Sequence, residues 1–456
     1  MATRTPRDSP RVRTRATTGD DLDLFVTTVH QAFGAFPETP ADSPGRWWSA
    51  LELDRGILAH TTSEPTEPTG PADHGEPADH GGRPVGTTAS YTFDLTLPGP
   101  QHPTPDTGPE NPLPTISVAG VTSVGVLPTH RRQGVLTAMM RHQLTDLRER
   151  GEPLAVLLAS EATIYGRFGY GPATHTTQIT VPRHRNALAA PRAHTLVPPT
   201  PESRETKADN GTVEIVHRDT CGDILETLYD QYRRHQPGAL SRPHHWWARR
   251  AGRPPISCAP RYIALHRDHT GTPDGYASYT LDQGTLTVDE TITTTTSALT
   301  ALHHFTLNHD LTQQTVLKHV PRNHPLRTQL SDTRAAQVTN DTDWLWVRIL
   351  DIPRALTTRG WGSTDADLVL DVHDPFLHEH TRHHLHTHNG HATCEPTDRD
   401  PDLTLDIRDL GSLYLSGTTP STLIHAGHIH PHHPEAAALA DAVFDTGQPP
   451  HCLHWF

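Results

Sequence analysis

The chain is short of cysteine, and what it has is badly placed for disulfide or zinc chemistry. Four cysteines occur in 456 residues, Cys221, Cys258, Cys394 and Cys452, with no C-x-x-C pair among them. That spacing excludes a disulfide framework and a zinc ribbon and fits a reduced, cytoplasmic setting. Long apolar runs are also missing. No segment approaches the length of a membrane span, and the arginine-bearing first twenty residues lack the apolar stretch of a secretory signal. Positive charge is in deficit: the formal net charge is −14, which argues against non-specific nucleic-acid binding as a main role. G-x-x-x-x-G-K-[ST], G-x-G-x-x-G and H-E-x-x-H are all absent, so neither a P-loop, a dinucleotide fingerprint nor a helical zinc-hydrolase site is expected.

What is present is a long, soluble, irregularly punctuated chain. Its length exceeds one ordinary core and implies two or three domains. Its 42 prolines and 32 glycines imply long surface insertions. One spans about 61–86 and carries the tandem repeat "PADHGEPADHGG"; a second spans about 98–114. Neither has much to bury, and both read as disordered. Near the start, "VRTRAT" predicts a strand. "GDDLDLFVTTVHQAF" predicts a helix capped by Thr18 or Asp20, with Leu22, Phe25, Val26, Val29 and Phe33 on one face. "GRWWSALELD" continues as helix. "ASYTFDLTL" and "ISVAGVTSVGV" predict antiparallel strands, and "LAVLLAS" a short buried one. Residues 186–342 mix helices with strands, and from about 343 "WLWVRILDIPRALTTRG" opens a third unit. Further strands are expected at "DLVLDV" and "LTLDIRDL", and helices at "STLIHAG" and "EAAALADAVFD".

The most informative stretch is "HRRQGVLTAMM", His130–Met140. A helix leaves its first amides unpaired and its N-terminus partly positive. Gly134 permits close approach of a ligand, and Arg131 and Arg132 add charge. A strand, a turn and a helix of this kind suit a phosphate or pyrophosphate. An isolated R-x-x-G is also compatible with an ordinary surface helix start.

With its context, "SVGVLPTHRRQGVLTAMM" resembles the pyrophosphate motif of the GNAT acetyltransferases, with Arg131–Leu136 filling the motif and Leu136 replacing the usual small last residue. The segment "SE…IYGRFGYGPAT" narrows the resemblance to the Eis (enhanced intracellular survival) family. "YDQYRRHQPGALSRP", "HPLRTQLSDTRAA", "WLWVRILDIPRAL" and "LGSLYLSGTTPSTL" extend it over nearly the whole chain. The resemblance implies an α+β architecture: an N-terminal GNAT domain over 1–185, a second GNAT-like domain without the coenzyme motif over 186–342, and a sterol-carrier-protein-like domain over 343–456. It implies a homohexamer built as a trimer of dimers.

The resemblance also assigns a site. Acetyl-CoA would lie along Val124, Gly125 and Val126. Backbone amides of Arg132, Gln133, Gly134, Val135, Leu136 and Thr137 would hold its pyrophosphate, and Ser160 and Glu161 would touch it further on. Tyr165 would be the general acid beside the sulfur, and the carboxylate of Phe456 the general base. Ordinary strand packing would explain Val124 and Val126 equally well, and a satisfied core tyrosine would explain Tyr165. Phe33, Phe36, Trp48 and Trp455 are candidate walls of an acceptor pocket. The implied function is acetyl transfer from acetyl-CoA to a primary amine (aminoglycoside, polyamine or lysine) by direct attack in a ternary complex. The competing reading is a lipid- or sterol-binding protein whose GNAT domain is vestigial. The 36 histidines, clustered at "HEHTRHHLHTHNGH" and "HAGHIHPHH", read as compositional bias, and no metal site is expected.

Overall fold

The computed structural model describes residues 11–34, 47–62, 82–100, 111–189, 211–217, 221–247 and 261–456. The central parts of both insertions, 63–81 and 101–110, lie outside the described residues.

Three sheets organise the chain. The first holds β1 (Arg11–Ala16), β2 (Ile57–Thr62), β3 (Pro84–Thr96), β4 (Thr115–Val126), β5 (Leu154–Leu158) and β6 (Gly171–Pro172). The second holds β7 (His175–Pro182), β8 (Thr212–Val216), β9 (Tyr262–Arg267), β10 (Pro273–Asp282), β11 (Thr285–Thr293), β12 (Gln314–Val320) and β13 (Gln337–Asp343). One more strand, β14 (Leu345–Ile349), belongs to the first sheet, between β5 and β6. The third sheet comprises β15 (Ala366–Asp374), β16 (Glu379–His388), β17 (His391–Pro396), β18 (Leu403–Asp406) and β19 (His430–Pro431), in the order β17-β16-β15-β18-β19.

The first two sheets have the same plan. Their orders are β1-β2-β3-β4-β5-β14-β6 and β8-β9-β10-β11-β12-β7-β13. In each, the sixth strand comes from the other half of the chain: β7 leaves the first unit to pair with β12, and β14 returns to pair with β5. Each of these two strands completes a sheet whose other strands lie across the boundaries expected at 185/186 and 342/343. All five residues of β14, "LWVRI", are buried, which suits an interior strand flanked on both sides.

Several local expectations change for identifiable reasons. "GRWWSALELD" is not an α-helix; it holds two 3₁₀ turns, Trp47–Ala50 and Leu53–Arg55. Glu52 is drawn to the sheet instead, accepting from the Thr92 amide at 2.8 Å and the Thr92 hydroxyl at 2.7 Å. The insertion read over 61–86 overshoots, because Thr61–Thr62 end β2 and Pro84 opens β3, where proline is tolerated at a first strand position. "LTLDIRDL" is half strand. Asp406 ends β18 and accepts from the Arg408 amide at 2.8 Å, capping the helix Ile407–Leu413.

The helix α1 (Leu22–Ala32) buries Phe25, Val26, Val29 and Ala32, but Phe33, at its C-terminal end, is 63% exposed. Thr18 caps the 3₁₀ turn Gly19–Asp21 that leads into it, its amide donating to Asp21 at 2.8 Å in a capping box, and Asp21 also takes a bidentate pair from Arg15 at 2.7 Å. The helix α2 (Val135–Glu149) buries Val135, Met139, Met140, Leu144 and Leu147. Gln143 is buried with them because it accepts from Thr88 and donates to the Ala89 carbonyl. Among the described residues no helix is long and apolar enough to cross a membrane.

Candidate active site

β4 and β5 run parallel but pair only at Ala119↔Ala155 and Gly120↔Val156. Beyond that point β4 continues to Val126 with no further pairing to β5 among the described residues, so the two strands part and leave a groove between them. The divergence has a local cause. Opposite Thr88 the β3·β4 register slips, Ser123 adopts φ 53°, and the Thr87 hydroxyl donates to the Ser123 carbonyl at 2.9 Å. Such a bulge bends a strand and re-aims the residues beyond it, here Val124, Gly125 and Val126. Val124 and Val126 are half-buried; Gly125 is buried beneath Ala32 and Phe33.

The groove leads to the start of α2. Gly134, at φ 83°, is the residue before the helix, and nothing lies within 4 Å of where its side chain would be. The positive φ favours glycine, and the open space leaves the first amides accessible to a ligand. Arg132 and Thr137 are exposed there, Gln133 and Leu136 are half-buried, and Val135 anchors the turn in the core. Arg131 does something else. Its guanidinium donates to the Ala32 carbonyl at 3.1 Å and to the Val126 carbonyl at 3.4 Å, tying the end of α1 to the groove.

On the other side of the split stands α3 (Ala162–Tyr165), a single turn just after the exposed pair Ser160 and Glu161. Tyr165 is 6% exposed and packs in one cluster with Ala119, Val121 and Trp346. Burial pushes its hydroxyl above the ordinary tyrosine value, and a hydrogen bond from Ser160 offsets part of this. The phenol therefore stays protonated at neutral pH and can donate. Tyr170 packs edge-on against it at 6.2 Å and is wholly buried.

The last residues reach the same split from the opposite face. His451, Cys452, Leu453 and His454 are buried. Phe456 packs on Phe93 with ring centroids 5.1 Å apart. Gly120 makes room: a β-carbon there would lie 2.6 Å from Phe93 and 3.0 Å from Phe456. Tyr165 thus shares a buried cluster with Ala119, and the Phe456 ring packs over the next residue of the same strand, Gly120.

The acceptor-wall residues are less unified. Trp48 is buried, edge-on to His30 at 5.4 Å. Phe33 lies by Gly125, Trp455 is 45% exposed beside Phe456, and Phe36 lies outside the described residues. Sequence reasoning missed an aromatic enclosure around the tail. Trp246, from the second unit, lies 5.0 Å from Tyr91, 6.1 Å from Phe93 and 5.0 Å from His454. "HHWWAR" carried no signal for this role, because its partners are some 150 residues away in the chain. A separate cavity of about 630 Å³ takes Ala162, Thr163 and Gly166 from the α3 turn and Arg408, Asp409 and His428 from the third unit; neither Tyr165 nor any β4 residue lines it.

Comparison with known proteins agrees with this geometry. Residues 112–173 and 238–349 each match a family model described as an acetyltransferase (GNAT) domain, and residues 352–453 match a sterol carrier protein domain. An N-acetyltransferase of Streptomyces griseus, itself uncharacterised, is 33% identical across 81% of this chain and 86% of its own. The N-acetyltransferase Eis of Mycobacterium tuberculosis is 33% identical across 82% of this chain and 86% of its own. The crystal structure of Eis1 from Mycobacterium abscessus aligns with a TM-score of 0.76 at 28% identity, covering 98% of this chain and 100% of that one. The architecture is accordingly two GNAT domains followed by a sterol-carrier-protein-like domain.

Proposed function

Since the chain belongs to the Eis family of GNAT N-acetyltransferases, we propose that it transfers acetyl from acetyl-CoA to a primary amine by direct attack in a ternary complex. The observation that carries this reading is the β4/β5 split together with the open, glycine-led start of α2, with Tyr165 clustered with Ala119 of β4 and the Phe456 ring over Gly120.

In this reading the backbone of Val124, Gly125 and Val126 holds the pantetheine arm as an added strand would. The amides from Arg132 to Thr137 hold the pyrophosphate, helped by the positive end of α2. Ser160 and Glu161 meet the coenzyme beyond them. Tyr165 donates a hydrogen bond to the sulfur as its charge grows. Full proton transfer from a free tyrosine to a free thiolate is uphill by about 2 kcal/mol, and burial raises the Tyr165 value further. The group therefore works by a bond that tightens in the transition state.

The acceptor must lose a proton. For an amine of ordinary basicity at neutral pH this costs about 4 kcal/mol. The carboxylate of Phe456 is the proposed base; the residue is half-buried, and its ring packs against Phe93, His454 and Gly120. Direct attack is favoured over an acetyl-cysteine intermediate because the cysteines among the described residues, Cys221, Cys394 and Cys452, are buried, and burial pushes Cys394 up to about 12; Cys258 lies outside those residues. The assembly proposed is the homohexamer implied by the family resemblance, which light scattering would read as six times the 50.3 kDa chain.

A panel of aminoglycosides, polyamines and lysine peptides, assayed by thiol release, tests the reading. Amine-dependent release is expected. No acetyl-CoA binding by calorimetry would end the proposal and favour the alternative, a lipid- or sterol-binding protein whose GNAT domain is vestigial.

A further inference from the structure

The histidine-rich segment "HEHTRHHLHTH" is strand β16, and its even-numbered residues face outward against aspartates. His388 meets Asp365 at 2.8 Å, and His384 meets Asp367 at 2.5 Å. At the far end the pattern changes, because three side chains converge. His373 and His380 are direct cross-strand partners on β15 and β16. Their rings stack with centroids 3.9 Å apart. Asp371 lies two residues before His373, on the same face, and each of its oxygens takes one imidazole: Oδ1 lies 2.7 Å from His380 Nε2 and Oδ2 lies 3.3 Å from His373 Nε2. Among the described residues this is the group of three whose ligand atoms all lie within 4.8 Å of one another.

We propose that Asp371, His373 and His380 form a binding site for a divalent transition metal, with zinc as the natural probe. Two imidazoles and one carboxylate suit such ions and not calcium or magnesium, which prefer oxygen ligands. The donor set leaves at least one coordination position open to water, since His373 and His380 remain partly exposed. The ligands sit on regular strands and need small shifts. Asp371 is also held from behind: Thr404, its partner on β18, donates to Oδ2 at 3.2 Å, the kind of support that orients a ligand. The competitor is Arg382, whose Nε lies 2.9 Å from Asp371 Oδ1. Its Nη1 already reaches the Arg399 carbonyl at 3.4 Å, so the guanidinium has another partner when an ion takes its place. A helical motif search cannot find this set, because a strand supplies ligands at i and i+2 and across the ladder.

The test uses the full-length, untagged chain and zinc alone, titrated against a chromogenic chelator, with cobalt absorption as a second reading. One site per chain is expected to stand out above weak binding by the other histidines. His373→Ala and His380→Ala should each weaken it at least tenfold, Arg382→Gln should tighten it several-fold, and His388→Ala should leave it unchanged. His380 is half exposed, so its variant keeps the argument testable if His373→Ala folds poorly. Equal affinity in His380→Ala and the parent chain, or equal weakening by His388→Ala, would reduce the site to diffuse binding by a histidine-rich surface and overturn the proposal.

Discussion

The first and second units share a seven-strand plan, yet they treat the start of the equivalent helix in opposite ways. In the first unit the residue before α2 is Gly134, with open space around it. In the second, the helix Thr296–Leu307 is closed by its own chain: the Thr295 hydroxyl oxygen accepts from the Ala298 amide at 3.1 Å. The same hydroxyl donates to the buried Asp274 side chain at 2.7 Å, placing an acidic residue beside the helix N-terminus. The parallel pair differs too. β11 and β12 stay together over four residue pairs, Thr285↔Gln314 to Val288↔Leu317, where β4 and β5 part after two. The first unit therefore combines a strand split with a helix start that the chain has not itself capped, and the second unit has neither.

Lengthening the chain by one residue after Phe456 should have the largest effect on this contrast. It displaces the proposed base without touching the α2 side, so kcat should fall a hundredfold or more while acetyl-CoA affinity by calorimetry holds. Tyr165→Phe comes next, with kcat lowered about tenfold to a hundredfold and binding retained. With Tyr165 intact, its upward shift keeps the donor protonated, so no loss of rate through its ionisation is expected below pH 10; a basic limb at lower pH would belong to another group. Gly134→Val should weaken acetyl-CoA binding about tenfold or more, with a strain of about 1–2 kcal/mol visible in thermal melts. Thr295→Ala is the reciprocal test. It should destabilise the second unit by about 1 kcal/mol and leave both turnover and the stoichiometry of one coenzyme per chain unchanged. A second coenzyme bound in that variant would show that the cap alone closes the site.

Acid should separate the units in a milder way. His303 and His324, in the second unit, and His451, in the tail, are held by burial at about 4, 3 and 4. Below about 6.5 the unfolded chain takes up protons that the folded one refuses until its own lower values, so stability is lost as pH falls across that window. Melting temperature should decline from pH 6.5 towards 4, with the second unit and the tail opening first in hydrogen exchange.

Much of the fold was legible from residue order. The start of α2 was, because helix-start chemistry is local: Gly134 and the apolar spacing after it mean the same thing wherever they occur. The strands β3, β4 and β5 were, because alternation and apolar runs report burial directly. The 3₁₀ turns at Trp47–Ala50 and Leu53–Arg55 were not, since Glu52 is claimed by Thr92, forty residues on. Nor was the exchange of β7 and β14 between sheets, because a buried strand's composition says that it has two neighbours and not which ones.

Sequence alone determined the family, the glycine-led helix start and the residue types available for acid and base. Those depend on short-range chemistry, which spacing records. Tertiary structure alone decided that Tyr165 clusters with Ala119 and the Phe456 ring packs over Gly120, that Trp246 walls the tail, and that Asp371, His373 and His380 converge. Those depend on which strands lie side by side, and contacts across hundreds of residues leave no periodicity in the chain that makes them.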